Sequence, residues 1–371
     1  MQVRVDYEDG LLTFEADTER LVAVWMGPPV GPTGDPRAVV RAAFDAPIGF
    51  PSLRLAVVPG DRVVVPLDPS LPEAPALIGV LAEILREGGV ESITAIVDGR
   101  SPEPPPPTVE GVSVVVHDPS DRESLAYLAT TESGRRIYLN RLLADADIVI
   151  PIGRLGYGPG GRLTGPWSVI DPGLSDSVPP AESLLAQAAP PDASTGDAAE
   201  VAWLLGCQLQ VAAVPGRAGL LRVVAGEAKA VELEGRAALD SAWRFEADDR
   251  ADLVIAGVGG PGRPSTADDL ASALRQSLRL VRRGGKVALL SRVGSEAIRD
   301  LARGPRRPRG DWEKALAWAD LYLLSNADPD EVEDLGLIPL ENAEQAARLA
   351  KSSPSTLTLS QADRTLASAR D

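Results

Sequence analysis

Apolar and polar positions alternate at the start of the chain. Val3, Val5 and Tyr7 form one run, Leu12 and Phe14 fall in a second, and Glu8-Asp9-Gly10 lies between them. That pattern predicts a β-hairpin over residues 3–14. Residues 63–65 read as a short buried strand. Leu77, Val80, Leu81, Ile84 and Leu85 then recur at helical spacing until Gly88-Gly89 stops the pattern. Residues 93–97 read as the next strand, so this strand–helix–strand unit predicts a parallel sheet. Further strands are expected at 112–116 and 148–152. A second hairpin is expected from 125–128 and 137–139 around Ser133-Gly134.

Residues 178–200 are rich in Pro, Ala, Ser and Asp and read as a mobile loop or linker. A helical pattern resumes around Ala202. A second strand–helix–strand unit follows: a strand at 253–256, a helix carrying Leu270, Leu274, Leu278 and Val281, then Gly284-Gly285 and a strand at 287–290. A strand at 321–324, a helix near 341–350 and a strand at 356–359 complete the pattern. The predicted fold class is α/β, with two domains that each hold a largely parallel sheet flanked by helices. The expected division is 1–240 and 241–353, with 354–371 as a tail that could return to the first domain.

Composition narrows the function classes. The 371 residues carry a formal net charge of −16, which argues against nucleic acid and anionic membranes as partners. The local basic run of Arg303, Arg306, Arg307 and Arg309 is broken by prolines and reads as a solvated loop. No stretch approaches the roughly 20 apolar residues of a membrane span, and no secretory leader pattern is visible. The expectation is a cytoplasmic protein. The single cysteine, Cys207, excludes an internal disulfide and reads as a buried core thiol.

Several residues could carry chemistry. Asp68 and Ser70 follow the first predicted parallel strand. They read either as a residual polar site or as a helix start, since Ser70-Leu71-Pro72-Glu73 spells a capping box. Arg154, Tyr157, Gly160, Gly161 and Arg162 form a glycine-rich, twice-basic loop that could wrap an anion or could be a tight connection. Gly257-Val258-Gly259-Gly260-Pro261-Gly262 has the dinucleotide-loop spelling, but Pro261 and Pro264 delay the helix, so a plain turn is preferred. His117, the only histidine, ends a predicted strand and reads as structural or surface. No Ser-His-Asp or zinc constellation is spelled out.

Taken in order, these segments resemble the nickel-pincer lactate racemases. Pro47-Ile48-Gly49 precedes a strand that ends in Asp68-Pro69-Ser70-Leu71-Pro72, where the family has Ser-Asp-x-Thr-Arg-Pro. Leu71 occupies the arginine position. Asp98-Gly99 follows the next strand, and Gly160-Gly161-Arg162 resembles a Gly-Gly-Arg-Lys. Val258-Gly259-Gly260 and Asp328-Pro329-Asp330 continue the series, so the resemblance covers nearly the whole chain.

That family racemises 2-hydroxy acids through a nickel cofactor tethered to a lysine, with histidines as proton carriers and nickel ligand. The resemblance therefore implies positions that this chain does not fill. Leu163 stands where the lysine would be, and no lysine precedes Lys229. His117 falls where the resemblance places no catalytic residue. The expectation is a lactate racemase-like protein without the covalent cofactor and without a metal site. It would bind a small anionic metabolite or a partner chain, such as a paralogue or a second copy, in an interdomain cleft. Ligand contacts are expected from Asp68, Ser70, Arg154, Gly160, Gly161 and Arg162. The alternative is an isomerase-type enzyme with replaced acid–base groups, drawn from Asp68, Asp98 and His117. Asp68, Asp98 and Arg162 are expected to face the cleft.

Overall fold

In the computed structural model, residues 1–31, 35–100, 108–158, 161–177, 197–303 and 309–370 are described. Gly160, most of the expected 178–200 linker and the basic segment 304–308 lie outside them. Within that linker, residues 197–200 open the helix Asp197–Leu204. None of the described helices is long and apolar enough to cross a membrane.

The first sheet is parallel and four-stranded, ordered Ser113–His117, Ser92–Asp98, Arg62–Pro66, Ile148–Val149. Consecutive valines 63, 64 and 65 are buried, as suits a strand covered on both faces. The helix Ala74–Glu87 closes one face with Leu77, Ile78, Val80, Leu81, Ile84 and Leu85, all buried. Each such side chain contributes about 1.5–3 kcal/mol. This unit and the hairpin Leu125–Thr130/Arg136–Asn140 follow the sequence pattern.

The expected single strand 148–152 is split. Ile148–Val149 pairs with the first sheet, whereas Ile152–Arg154 pairs with Leu209–Pro215 in a separate three-stranded sheet completed by Leu220–Glu227. Pro151 causes the break: it has no N–H to continue the ladder, and its carbonyl accepts from Val211 instead. The chain thus steps from one sheet to the next as it enters the glycine-rich loop.

The second sheet is parallel and six-stranded, ordered Ile338–Leu340, Ala319–Leu324, Val281–Leu290, Ala251–Gly257, Thr356–Leu359, Leu21–Trp25. The hairpin Gln2–Tyr7/Gly10–Glu15 and the helix Ala343–Ser352 cover one face. The helix Ala267–Leu280 covers the other.

The expected domain limits therefore need correction. Residues 1–25 go with the second unit, because Leu21–Trp25 finds its ladder partner in Thr356–Leu359 and the hairpin before it packs on the face of that sheet. Residue 240 lies inside the helix Ala228–Trp243. The tail stays with the second unit: after Thr356–Leu359, Leu366–Ala369 pairs with Arg244–Ala247. It touches the first unit through Gln361, whose side-chain amide donates to the Arg217 carbonyl at 3.1 Å.

The helix Ala228–Trp243 links the units and buries Val231, Gly235, Leu239, Ala242 and Trp243. Gly235 leaves room there for Leu155: a Cβ would lie 2.6 Å from its Cδ2, so the leucine would have to shift. The missing side chain lets the helix ride directly on the glycine-rich loop.

Candidate functional site

The predicted site residues separate into three places. Asp68 lies just beyond the C-terminal end of its strand, and its backbone N–H donates to the Ile152 carbonyl at 3.0 Å. Its Oδ1 accepts from the Ser70 N–H at 2.9 Å and the Ser70 hydroxyl at 2.6 Å. Its Oδ2 accepts from the Arg154 N–H at 3.4 Å. Asp68, Ser70 and Arg154 are thus brought together, with Asp68 stapling the two strand ends. The capping box expected from Ser70 and Glu73 does not form. Glu73 is the N-cap, in the left-handed region at φ 62°, and makes no side-chain cap. Pro75, in the first turn, has no N–H for such a cap to reach.

Asp98 belongs to a second cluster. Its Oδ1 accepts from the Arg100 N–H and Nε, both at 2.9 Å. The Arg100 guanidinium then donates to the carbonyls of Ser177 and Gly173, each at 2.9 Å, and to that of Pro172. Asp98 therefore aims Arg100 at the turn 172–177. Among the described residues, no hydrogen bond or ion pair joins this cluster to Asp68.

His117 is fully buried. Nε2 lies 3.4 Å from the Ser175 carbonyl and Nδ1 lies 3.1 Å from Asn140 Nδ2. The network assigns the proton to Nε2, with Nδ1 accepting from the Asn140 amide. Burial pushes its pKa below the usual histidine value, against the opposing pull of the Ser175 carbonyl and Asp98. The ring is neutral at neutral pH and engaged at both nitrogens. Cys207 is buried, as expected, and burial pushes its thiol up to about 12.

The glycine-rich loop closes on itself. Gly156–Tyr157 pairs antiparallel with Leu163–Thr164. The Gly161 N–H donates to the Gly158 carbonyl at 3.0 Å and the Gly158 N–H to the Arg162 carbonyl at 2.8 Å. Gly161, at φ 78°, sits where a side chain would be strained. These amides are used up in a tight turn. Arg162 is exposed, and Leu163 points into the core beside Leu155, Trp167 and Ile170.

Arg154, Leu155, Gly156 and Tyr157 instead form one wall of a cavity of about 40 Å³ between the units. Pro215, Leu239 and Trp243 form its apolar back, and Asp269, Asp363 and Arg364 come from the second unit. Tyr157 donates to Asp240, and burial followed by that carboxylate raises its pKa. Arg263 ties the two acids of the second unit together: Nη1 donates to Asp269 at 3.0 Å and Nη2 to Asp363. The remaining Asp363 oxygen accepts the Gly259 N–H at 2.9 Å. A carboxylate of the chain itself thus fills the turn that has the dinucleotide-loop spelling, so the plain-turn reading holds. Burial lowers the pKa of Arg263, but Asp363 and Asp269 outweigh it and raise it overall.

Trp243, Asp269, Asp363 and Arg364 were not expected from the sequence. The one signal was Asp363-Arg364, a charged pair in a short break between the apolar runs 356–359 and 366–367.

Comparison with known proteins follows this geometry. The family model described as the lactate racemase N-terminal domain matches residues 107–162. The lactate racemase apoprotein of Thermoanaerobacterium thermosaccharolyticum superposes with a TM-score of 0.77 at 16% identity, over 100% of both chains. The chain has the lactate racemase fold. A protein of Thermotoga maritima has the same fold at a TM-score of 0.64 and 11% identity, over 91% of this chain and 99% of its own. No curated protein matches. The segment that matches the family model includes Arg154 and Tyr157, while the opposite wall of the cavity, at Asp269, Asp363 and Arg364, lies outside it.

Proposed function

We propose that this lactate racemase-like protein works by binding a small anion between its two units, and that it does not racemise 2-hydroxy acids through a tethered nickel cofactor. The observation that carries the reading is the cavity itself. Arg154 lines it from the first unit and Arg364 from the second, with Asp269 and Asp363 beside them. Arg263, outside the lining, already pairs with both carboxylates, so the three arginines together outnumber the two acids by one charge. A concave site between units with few polar groups and an apolar back is where small ligands bind.

The residues present do not fit the nickel group that the resemblance implies. Leu163, at the position of the tethering lysine, is packed in the core with 4% of its surface exposed. His117 is neutral and hydrogen-bonded at both ring nitrogens. Among the described residues no three His, Cys, Asp or Glu side chains are grouped to hold a metal ion. Replaced acid–base chemistry would have to draw on Asp68, Asp98 and His117. Each is engaged in the hydrogen bonds that hold its own strand end, and Asp98 and His117 stand apart from the cavity wall.

Two measurements test the reading. Calorimetric titration of the full chain with sodium salts of small carboxylates and oxyanions should show saturable binding. Chiral chromatography of L-lactate after long incubation, with and without nickel or magnesium, should show no D-lactate above the protein-free control. Racemisation lost on Asp68→Asn or His117→Gln would overturn the proposal in favour of an enzyme.

A further inference from the structure

We infer that Arg364, paired with Arg154, is the anchor of a site for a compact oxyanion bearing one negative charge, a carboxylate or a phosphate head. The inference rests on the binding reading above and deepens it by naming the anchor and the ligand chemistry.

Arg364 sits in the turn between Thr356–Leu359 and Leu366–Ala369. Its Nε is sealed from solvent and has no hydrogen-bond partner. Among the described residues, no hydrogen bond or ion pair engages its guanidinium or that of Arg154. The nearby carboxylates are already partly occupied. Asp363 accepts from Gly259 and Arg263, one on each oxygen. Asp269 takes Arg263 and the Thr266 N–H and hydroxyl all on Oδ2, so that its Oδ1 is the one carboxylate oxygen beside the two arginines that accepts no hydrogen bond among the described residues.

Burial, with Arg154 and Arg263 alongside, pushes the Arg364 pKa down to about 9. That still leaves the guanidinium charged at neutral pH. Arg364 is half-buried, with its Nε sealed; a charge so far withdrawn from water is ordinarily paired, and a guanidinium is built to grip two oxygens of one anion. The missing partner is therefore an anion that the chain does not supply.

Size and charge narrow its class. The cavity of about 40 Å³ takes a small head group such as a carboxylate or a phosphate. Arg154, Arg263 and Arg364 outnumber Asp269 and Asp363 by one charge, which balances one negative charge. The apolar back of Leu239, Pro215 and Trp243 faces whatever carbon the head carries.

The test uses the full chain at constant ionic strength, with sodium acetate and sodium phosphate as probes and sodium chloride as control. Thermal unfolding should shift upward and saturably with at least one probe, since a ligand that binds only the folded state stabilises it by mass action, and chloride should give no shift. Acetate alone would identify a carboxylate site, phosphate alone a phosphate site, and a response to both the shared chemistry; all three support the inference. R364Q should weaken binding at least tenfold. R364K, which keeps the charge and loses the fork, should fall between. In parallel, hydrogen–deuterium exchange of the wild type with peptide mapping should show the turn that carries Asp363 and Arg364 protected by the probe, which needs no variant to fold. Binding that survives R364Q, with that turn unprotected, would overturn the anchor and leave the cleft reading standing. No response of the wild type to either probe would overturn both.

Discussion

Leu163→Lys restores the residue type that the resemblance to lactate racemases expects after Gly160-Gly161-Arg162. The structure expects it to be damaging. Leu163 is 4% exposed and packs with Leu155, Trp167 and Ile170. Removing the leucine forfeits about 1.5–3 kcal/mol of burial. An ammonium in the same place must be desolvated or must pull the hairpin open, at a further cost of several kcal/mol. The expected loss is at least about 3 kcal/mol, a large part of a typical domain's 5–15 kcal/mol. Trp167 shares the cluster, so fluorescence-monitored urea unfolding reports on the site directly. The deficit should also depend on pH. Burial lowers the folded-state pKa of the introduced lysine below its unfolded value of about 10.4. The unfolded state then binds more protons at neutral pH, so stability rises with pH. The gap to wild type should narrow between pH 7 and 9.5. A loss under about 1 kcal/mol that does not change with pH would show that the position opens to the cleft, and the argument against a lysine tether would fall with it.

Three further outcomes are expected. The His117 pKa is lowered in the folded state, so its contribution is present above the unfolded value of about 6.5 and is lost as pH falls from there through the folded value; urea midpoints of wild type should drop relative to H117N between pH 7 and 5, and parallel curves would refute it. Arg263→Gln strands the buried Asp363 beside Asp269 and should cost about 3–5 kcal/mol, read as a fall in melting temperature far larger than that of the exposed-pair variant Arg370→Gln. Gly235→Ala puts a methyl 2.6 Å from Leu155 Cδ2, and the overpacking opposes a helix-propensity gain of about 1 kcal/mol; the net stability change should be under about 2 kcal/mol, but because Leu155 lines the cavity anion affinity should fall, and unchanged affinity in an equally stable variant would show that Leu155 does not have to move.

Much of the architecture was legible because it depends on local pattern. Val63, Val64 and Val65 and the stripe from Leu77 to Leu85 bury themselves wherever the rest of the chain goes. The N-terminal hairpin formed as written, but its allegiance did not show: only the pairing of Leu21–Trp25 with Thr356–Leu359, across more than three hundred residues, assigns it to the second sheet. Pro151 was visible, yet a proline inside an apolar run does not say which sheet takes over beyond it. The site divided in the same way. Arg154 was found because it adjoins a glycine-rich turn after a strand. Arg364 was not, because a lone Asp-Arg pair in a short turn has the sequence of a solvated surface. Arg364 comes to line the cavity only because Leu239, Trp243 and Asp269, from the helices Ala228–Trp243 and Ala267–Leu280, meet it there, which no local spacing records.

The central place of Thr356–Leu359 in the second sheet has a consequence for how the molecule comes into being. Residues from about 26 to 243 form an insert within the second unit, whose strands come from before and after it. On a ribosome the insert can collapse while its host is still an incomplete sheet, with Leu21–Trp25 and Ala251–Gly257 lacking the strand that joins them. Distant pairings of this kind form slowly and leave strand edges exposed in the interval. Asp363 and Arg364 follow Thr356–Leu359 directly, so the cavity wall they form cannot assemble before the second sheet receives that strand.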